Sequence, residues 1–309
     1  MQEGKRRSRM KRASTGKRLE LSPRDVEIFR ALSRYRYLRS TYLHAFVGGA
    51  SKTRFKERLG DLFHEGYLDR PAEQWRVANS RYVPVVHELG KGARQVLSNV
   101  GIEIDDQRTW LRDAPHRQFE HSLMICEILA SIELGTLVRP DLRFIPWPEI
   151  IAKAPASAQE RAIPFGMTAA LPQTAEKAVV VPDAVFGLEY RHDHRKFYRF
   201  FALETDRGTM PLARSNRHQT SYLGKIAAYR GIFDRQAYKT ELGLPNLLVL
   251  TVTTSERRKS EIVRRIKKQS GTQAVFLFKA VSETIEPSLQ LACDPWERAG
   301  HAALSIGTL

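Results

Sequence analysis

The stretch "VVPDAVFGLEYRHDHRKFYRFFALETDRGT", Val180 to Thr209, limits the fold of this chain more than any other. Two apolar runs rich in β-branched and aromatic residues flank the charged turn "RHDHRK", which is the pattern of a strand pair. Three carboxylates break that pattern. Asp183 interrupts the first run, and Glu204 and Asp206 close the second. If Tyr190 faces Phe197, the same register sets Asp183 opposite Glu204, with Cα atoms about 4.5–5.5 Å apart. Asp206 lies two residues beyond Glu204 and so falls on the same side of the sheet. Like charges placed opposite each other destabilise a strand pair, and burying them unpaired costs more. Such a sheet needs a protonated carboxyl, a compensating cation such as Arg207, or a divalent metal. Mg²⁺ suits the third case, because it takes carboxylate oxygens together with waters and substrate phosphate.

Charge is the second constraint. The 309 residues carry a formal net charge of +16, which points to nucleic acid, an anionic membrane surface or an acidic protein as partner. Hydrophobic residues make up 42%, enough to bury a core in about two domains. No apolar run approaches the roughly 20 residues of a membrane span, and no apolar segment follows the basic N-terminus as a secretory signal requires. Two cysteines, Cys126 and Cys293, exclude a disulfide framework and fit a reducing compartment, the cytoplasm. No phosphate-cradling P-loop occurs, which argues against an ATP-driven motor. The first 20 residues hold Lys5, Arg6, Arg7, Arg9, Lys11, Arg12, Lys17 and Arg18, a self-repelling block expected to be a disordered, phosphate-neutralising arm.

Behind the arm, Ser22-Pro23 reads as an N-cap and first helical residue, followed by an apolar face at Val26, Phe29 and Leu32. A second helix fits Arg39 to Phe46, Gly48-Gly49 turn the chain, and Ser51 caps a third helix. That helix carries Phe55, Leu59, Leu62 and Phe63 on one side and Lys52, Arg54, Lys56 and Arg58 mostly on the other. "GYLDR" reads as a strand, "AEQWRVANS" as a loop, "RYVPVVHEL" as a returning strand and "GKGARQVLSNVG" as a closing helix. This order, over residues 21–112, resembles the winged helix-turn-helix family. The resemblance implies that the third helix enters the major groove of double-stranded DNA through Lys52, Arg54, Lys56 and Arg58, with Arg76 and Arg81 reaching phosphates from the wing. Solvated basic faces and protein-docking winged helices are the competing readings.

From residue 113 to 282 the pattern gives a long amphipathic helix with Glu120 and Glu127 on one stripe, and the strand "LRFIPWPEI". An irregular Ala- and Pro-rich insertion over 152–177 and the acidic strand pair follow. The helix "RHQTSYLGKIAAYRGIF", the strand "NLLVLTVTTS", a basic helix "ERRKSEIVRRIKKQ" and the strand "AVFLFKAV" complete it, leaving 283–309 as a tail. The whole is a mixed α+β / α/β chain.

The helix, three-strand, helix, strand order resembles the core of the PD-(D/E)xK nuclease superfamily, with Pro182-Asp183 and Glu204 at the motif positions. That resemblance implies a Mg²⁺ or Mn²⁺ site at Asp183 and Glu204 that activates water against a phosphodiester. Asp206 stands where the family has its lysine. The resemblance then implies Asp206 as an added metal ligand, Lys225 on the following helix as the displaced catalytic lysine, and Glu127 as a first-helix acid.

Over Leu21 to Lys268 the chain also resembles the replication-relaxation family of bacterial mobile-element proteins, through "SPRDVEIFRAL", "GYLDR", "HSLMICEIL", "VPDAVFGLE", "FFALETDRGT" and "GKIAAYRGIF". It implies a DNA-handling role in replication or transfer of a plasmid or other element, in the nucleoid or on the plasmid. Implied partners are a second copy of the chain and the element's replication or transfer proteins. Three readings remain open on the sequence: a metal-dependent nickase or endonuclease, a non-catalytic initiator or regulator on a degenerate nuclease fold, and an interaction module with a basic surface.

Overall fold

The computed structural model of the chain describes residues 7–14, 16, 18–49, 51–76, 80–102, 104, 116–170, 177–208, 211–212, 221–268 and 274–309. Lys5, Arg6, Lys17, Thr209, His218, the 112/113 boundary and residues 171–176 of the insertion lie outside them. The chain forms two compact units, Met1–Ala130 and Ser131–Leu309.

The first unit opens with α1 (Pro23–Arg34). The Ser22 hydroxyl accepts from the Asp25 amide, and the Asp25 carboxylate accepts from the Ser22 amide, a reciprocal cap that fixes where the helix starts. Ile28, Phe29, Ala31 and Leu32 are its buried face. Next come β1 (Leu38–Arg39), α2 (Ser40–Val47), α3 (Lys52–His64) and β2 (Leu68–Asp69). After these follow β3 (Val86–Leu89), α4 (Lys91–Asn99) and α5 (His116–Leu137), within which the unit boundary falls. The three strands pair antiparallel in the order β1-β3-β2, and the two outer strands are only two residues long.

Where "AEQWR" suggested loop, Ala72–Arg76 winds into a 3-10 turn. Its buried Gln74 donates to the carbonyls of Pro71 and Val86, both at 3.0 Å, and accepts from the Val86 amide at 2.9 Å. One side chain thus satisfies the backbone that a longer strand would otherwise have paired. The described part of the basic arm is also ordered by partners. Arg7 pairs with Asp61, and Arg12 pairs with Asp69 and donates to the carbonyls of Phe63 and Leu68. Acidic and carbonyl groups around α3 and β2 offset the repulsion that the arm's composition predicts.

The second unit contains β4 (Leu142–Ile145), α6 (Trp147–Ala152), α7 (Ala156–Gln159), β5 (Met167–Ala170), β6 (Lys177–Val180), β7 (Ala184–His192) and β8 (Arg195–Asp206). It continues through α8 (Tyr222–Arg235), α9 (Ala237–Leu242), β9 (Leu248–Thr253), α10 (Glu256–Lys267), β10 (Phe276–Ala280), α11 (Gln290–Cys293), β11 (Pro295–Arg298) and β12 (His301–Ser305). Seven strands form one mixed sheet, β12-β11-β10-β9-β8-β7-β4, in which β8–β9 and β9–β10 are parallel and the other pairs antiparallel. Phe144, Phe186 and Phe201 stack across β4, β7 and β8, with centroids 5.5 and 5.0 Å apart. Gly187 sits beneath the Phe200 ring, where a Cβ would come within 3.0 Å of it.

Two segments carry more structure than their patterns suggest. Part of the 152–177 insertion is the β5–β6 hairpin, whose Met167 and Ala169 are fully buried and whose Thr168 amide donates to Glu241. The run from Val180 is therefore broken at Pro182-Asp183, with β6 before the break and β7 after it. Residues 283–309 add β11 and β12 to the sheet, around a fully buried Trp296. Among the described residues no helix is long and apolar enough to cross a membrane.

Arg58 of α3 ties the first unit together by donating to both oxygens of the buried Asp25, at 3.0 and 2.6 Å. Burial works to raise the Asp25 carboxyl, but hydrogen bonds from Arg58 and Ser22 overcome it and hold the group below its ordinary value. The stabilisation is therefore complete above the ordinary carboxylate range and is lost as pH falls through the depressed value. Asp25→Ala is expected to lower the unfolding free energy at pH 7 by roughly 1–3 kcal/mol, the cost of stranding a partly buried donor. Equal denaturant midpoints for the variant and the parent would contradict this assignment.

Candidate functional site

The acidic strand pair has the register obtained by centring its turn on "RHDHRK". Tyr190 pairs with Phe197 and Ala184 with Leu203, and the Asp183 amide donates to the Leu203 carbonyl at 3.0 Å. One step further, Asp183 stands against Glu204. The Asp183 side chain leans along β8, where its Oδ2 accepts from the amide and the hydroxyl of Thr205 at 2.7 and 2.8 Å. On the other edge of β8, Glu204 and Asp206 face Thr251 and Thr253 of the parallel strand β9. All four are buried at the carboxyl ends of their strands, the position where open sheets with parallel strands place their ligands.

Glu204 is 4% exposed. Two residues one turn apart on α8 meet it: Lys225 forms an ion pair with Oε2, and the Tyr229 hydroxyl donates to Oε1 at 2.5 Å. Ser221 caps α8 by accepting from the Gly224 amide, and the buried face of Tyr222, Ile226 and Tyr229 then seats the helix. The Tyr222 hydroxyl shares a 2.7 Å hydrogen bond with Thr251. Burial pushes the Glu204 carboxyl up to about 8, the Asp183 charge adds to the rise, and Lys225 and Tyr229 oppose it. Burial also works against the Lys225 ammonium, but the charges of Glu204 and Asp183 outweigh it and hold Lys225 above its ordinary value.

Asp206 accepts from Arg258 Nε at 2.8 Å on Oδ2 and from the Gly208 amide at 2.8 Å on Oδ1. Gly208 has φ +76, which lets the chain turn back onto the carboxylate. The cation beside Asp206 is thus Arg258 of α10, whereas adjacency in sequence had suggested Arg207. Arg258 is 52 positions away. Ser255 caps the basic helix that carries it, directly after the strand "LVLTVT".

The structure brings together Asp183, Glu204 and Lys225, with Asp206 on the same strand as Glu204. Glu127 lies in the first unit, where it is buried and paired with Arg39. Lys52, Arg54, Lys56, Arg76 and Arg81 are exposed, and Arg58 is turned inward to Asp25. His192 ends β7 and His194 lies in the turn to β8, both exposed. Among the described residues no three His, Cys, Asp or Glu side chains converge as a metal-holding group. The donor set a divalent cation would meet is the pair Asp183 and Glu204.

A carboxyl whose folded value is raised binds more protons folded than unfolded between its free value and the raised one. Stability from Glu204 is therefore greatest in acid and falls as pH climbs toward about 8. Glu204→Gln cannot ionise, so the parent's Tm is expected to fall relative to the variant's between pH 5 and pH 9. A constant Tm difference across that range would contradict the burial account.

No curated protein and no solved structure gives a significant match to the chain. The replication-relaxation family matches residues 29–247, which takes in most of the first unit and the acidic strands together with α8. The chain belongs to the replication-relaxation family.

Proposed function

We propose that the protein binds double-stranded DNA of a plasmid or other mobile element during replication or transfer, and that Asp183, Glu204 and Lys225 form a metal-dependent site for phosphodiester cleavage. Membership of the replication-relaxation family supports the role in an element's replication. The binding half rests on the first unit. Three helices, a glycine turn before α3, a small sheet and α4 follow one another as in a winged helix-turn-helix, and the net charge is +16. Lys52, Arg54 and Lys56 on α3 would face the groove, while Arg76 and Arg81 would meet phosphates. Arg58 serves the fold in this reading.

The cleavage half rests on one observation above others: Lys225 of α8 reaches Glu204, beside Asp183, although residue 206 is not lysine. Leaving aside the elements inserted between them, the order α5, β4, β7, β8, α8, β9 with these three residues resembles that of a PD-(D/E)xK nuclease and supports reading Lys225 as its displaced lysine. Two carboxylates suit Mg²⁺ or Mn²⁺, which complete their shell with waters and phosphate oxygens. A bound cation of this kind supplies an activated water and neutralises charge on the phosphate. Asp183 and Glu204 would hold it, Glu204 giving up its bond to Lys225, and the released ammonium would then sit beside developing negative charge. In this reading Asp206 stays with Arg258.

One observation favours a second reading. Tyr229, Lys225 and Arg258 already satisfy Glu204 and Asp206 without any metal, as they would in a non-catalytic scaffold carrying the DNA-binding unit.

Incubation of the protein with supercoiled plasmid separates the two. Nicking or linearisation that requires Mg²⁺ or Mn²⁺, and that drops at least about 100-fold in Asp183→Ala, Glu204→Ala and Lys225→Ala, is the expected result. Salt-sensitive DNA binding without conversion under either metal would establish the scaffold. Binding indifferent to salt would remove phosphate-driven DNA recognition altogether.

A further inference from the structure

We propose that Tyr82 is a contact to duplex DNA and that Arg9 of the N-terminal arm presents it. The contact rests on the DNA-binding reading above, whereas the presenting role rests on the geometry of the first unit alone. Tyr82 lies in the segment 80–85, which leads into β3. It is 88% exposed, more than any other large hydrophobic side chain among the described residues. A solitary exposed ring is ordinary. The bracing of the backbone on either side of this one is not.

The Arg9 guanidinium takes the carbonyls that flank Tyr82. From Nη1 it donates to the Arg81 carbonyl at 2.6 Å, and from Nη2 it reaches the Val83 carbonyl at 3.5 Å. The same group lies over the half-buried Trp75 ring, 5.8 Å from its centroid, within the range of a cation–aromatic attraction. Arg9 is itself anchored. Arg70 donates to its carbonyl at 2.8 Å, and the Arg70 guanidinium sits 4.1 Å from the Phe63 centroid. Pro84 narrows the conformations open to Val83. At the root of the segment the Val85 carbonyl accepts from the Ser40 amide at 2.8 Å, and Gln74 bonds both backbone groups of Val86. β2 and β3 pair over two residues only, so these side-chain bonds replace a ladder. A lysine at position 9 would keep the charge but lose the planar fork and its stacking.

The surroundings say what the ring meets. Arg9 and Arg81 are both exposed. The positive field is strong enough to act on a neighbour: burial, then the charges of Arg9 and Arg7, push Arg70 down to about 10. The acids nearest the arm, Asp61 and Asp69, are engaged by Arg7 and Arg12. A polyanion is therefore drawn to this surface, and a ring held out among the cations packs against sugars and base edges once phosphates have docked. The same unit exposes Lys52, Arg54 and Lys56 on α3, which puts duplex DNA ahead of an acidic protein as the occupant.

The test uses the full chain as parent, Tyr82→Ala, Arg9→Lys and the double variant. Both positions are exposed, so equal Tm values are expected and serve as the check on folding. Duplex DNA affinity is measured against salt. Tyr82→Ala is expected to bind about tenfold more weakly, the loss of one buried ring, with an unchanged salt slope because no charge is removed. Arg9→Lys is expected to weaken binding with the slope also unchanged. The double variant is expected to bind no more weakly than Tyr82→Ala, because Arg9 acts through Tyr82. Without DNA, the NMR order parameters of residues 81–83 are expected to fall in Arg9→Lys. A Tyr82→Ala variant with the parent's affinity overturns the DNA contact and leaves the ring to a protein partner. Losses that add in the double variant, or order parameters unchanged in Arg9→Lys, overturn the presenting role. A parent that does not bind duplex DNA overturns the DNA-binding reading and the contact together, and the order parameters still decide the role of Arg9.

Discussion

Glu204 is a carboxylate in the middle of a hydrophobic sheet, and the second unit is arranged around its compensation. β8 is paired on both edges, so Glu204 has no route to water through its own strand. The charge must be met from above the sheet, and α8 meets it with Lys225 and Tyr229 one turn apart. Asp206 raises the same demand one pleat further on, and Arg258 of α10 answers it. Two helices are thus pinned by acids on a single strand, each at the carboxyl end of the parallel pair β8–β9. A buried pair of this kind contributes little to net stability compared with an apolar pair of similar shape. The placement of α8 is the one that brings both Lys225 and Tyr229 to Glu204.

The first unit uses charge in the same way. Arg58 is spent on Asp25, Arg39 on Glu127, and Arg7 and Arg12 on Asp61 and Asp69. The net charge of +16 is therefore not a count of DNA contacts, since several arginines on the basic helix and arm hold the fold. Those left exposed on α3 and beyond the 3-10 turn are the ones available to a polyanion.

Local chemistry made much of this legible in the sequence. Ser22 and Ser51 each start a helix where a capping serine precedes an amphipathic run. Centring the turn on "RHDHRK" places Tyr190 opposite Phe197, and the structure has that register, with Asp183 one step beyond Ala184–Leu203. What escaped was set by distant partners. Arg258 and Asp206 are far apart in sequence, and no local pattern joins them. The β5–β6 hairpin lies in an Ala- and Pro-rich stretch with no clear period, and its Met167 and Ala169 are buried where α8 and α9 lie next to β5. Gln74 replaces a strand's hydrogen bonds with a side chain's, which no period reveals. β11 and the edge strand β12 are short strands at one end of the sheet, around the buried Trp296.

The central claim is that Lys225 and Glu204 depend on one another inside the second unit. A double-mutant cycle on chemical denaturation at pH 9, where Glu204 is ionised, with Lys225→Met, Glu204→Gln and the two combined, tests it most directly. Each single change strands a buried group and is predicted to cost roughly 3–5 kcal/mol if the partner stays ionised, while the double variant recovers most of that loss. Single losses that simply add in the double variant would show that the two groups act independently, and would remove the basis for reading Asp183, Glu204 and Lys225 as one site.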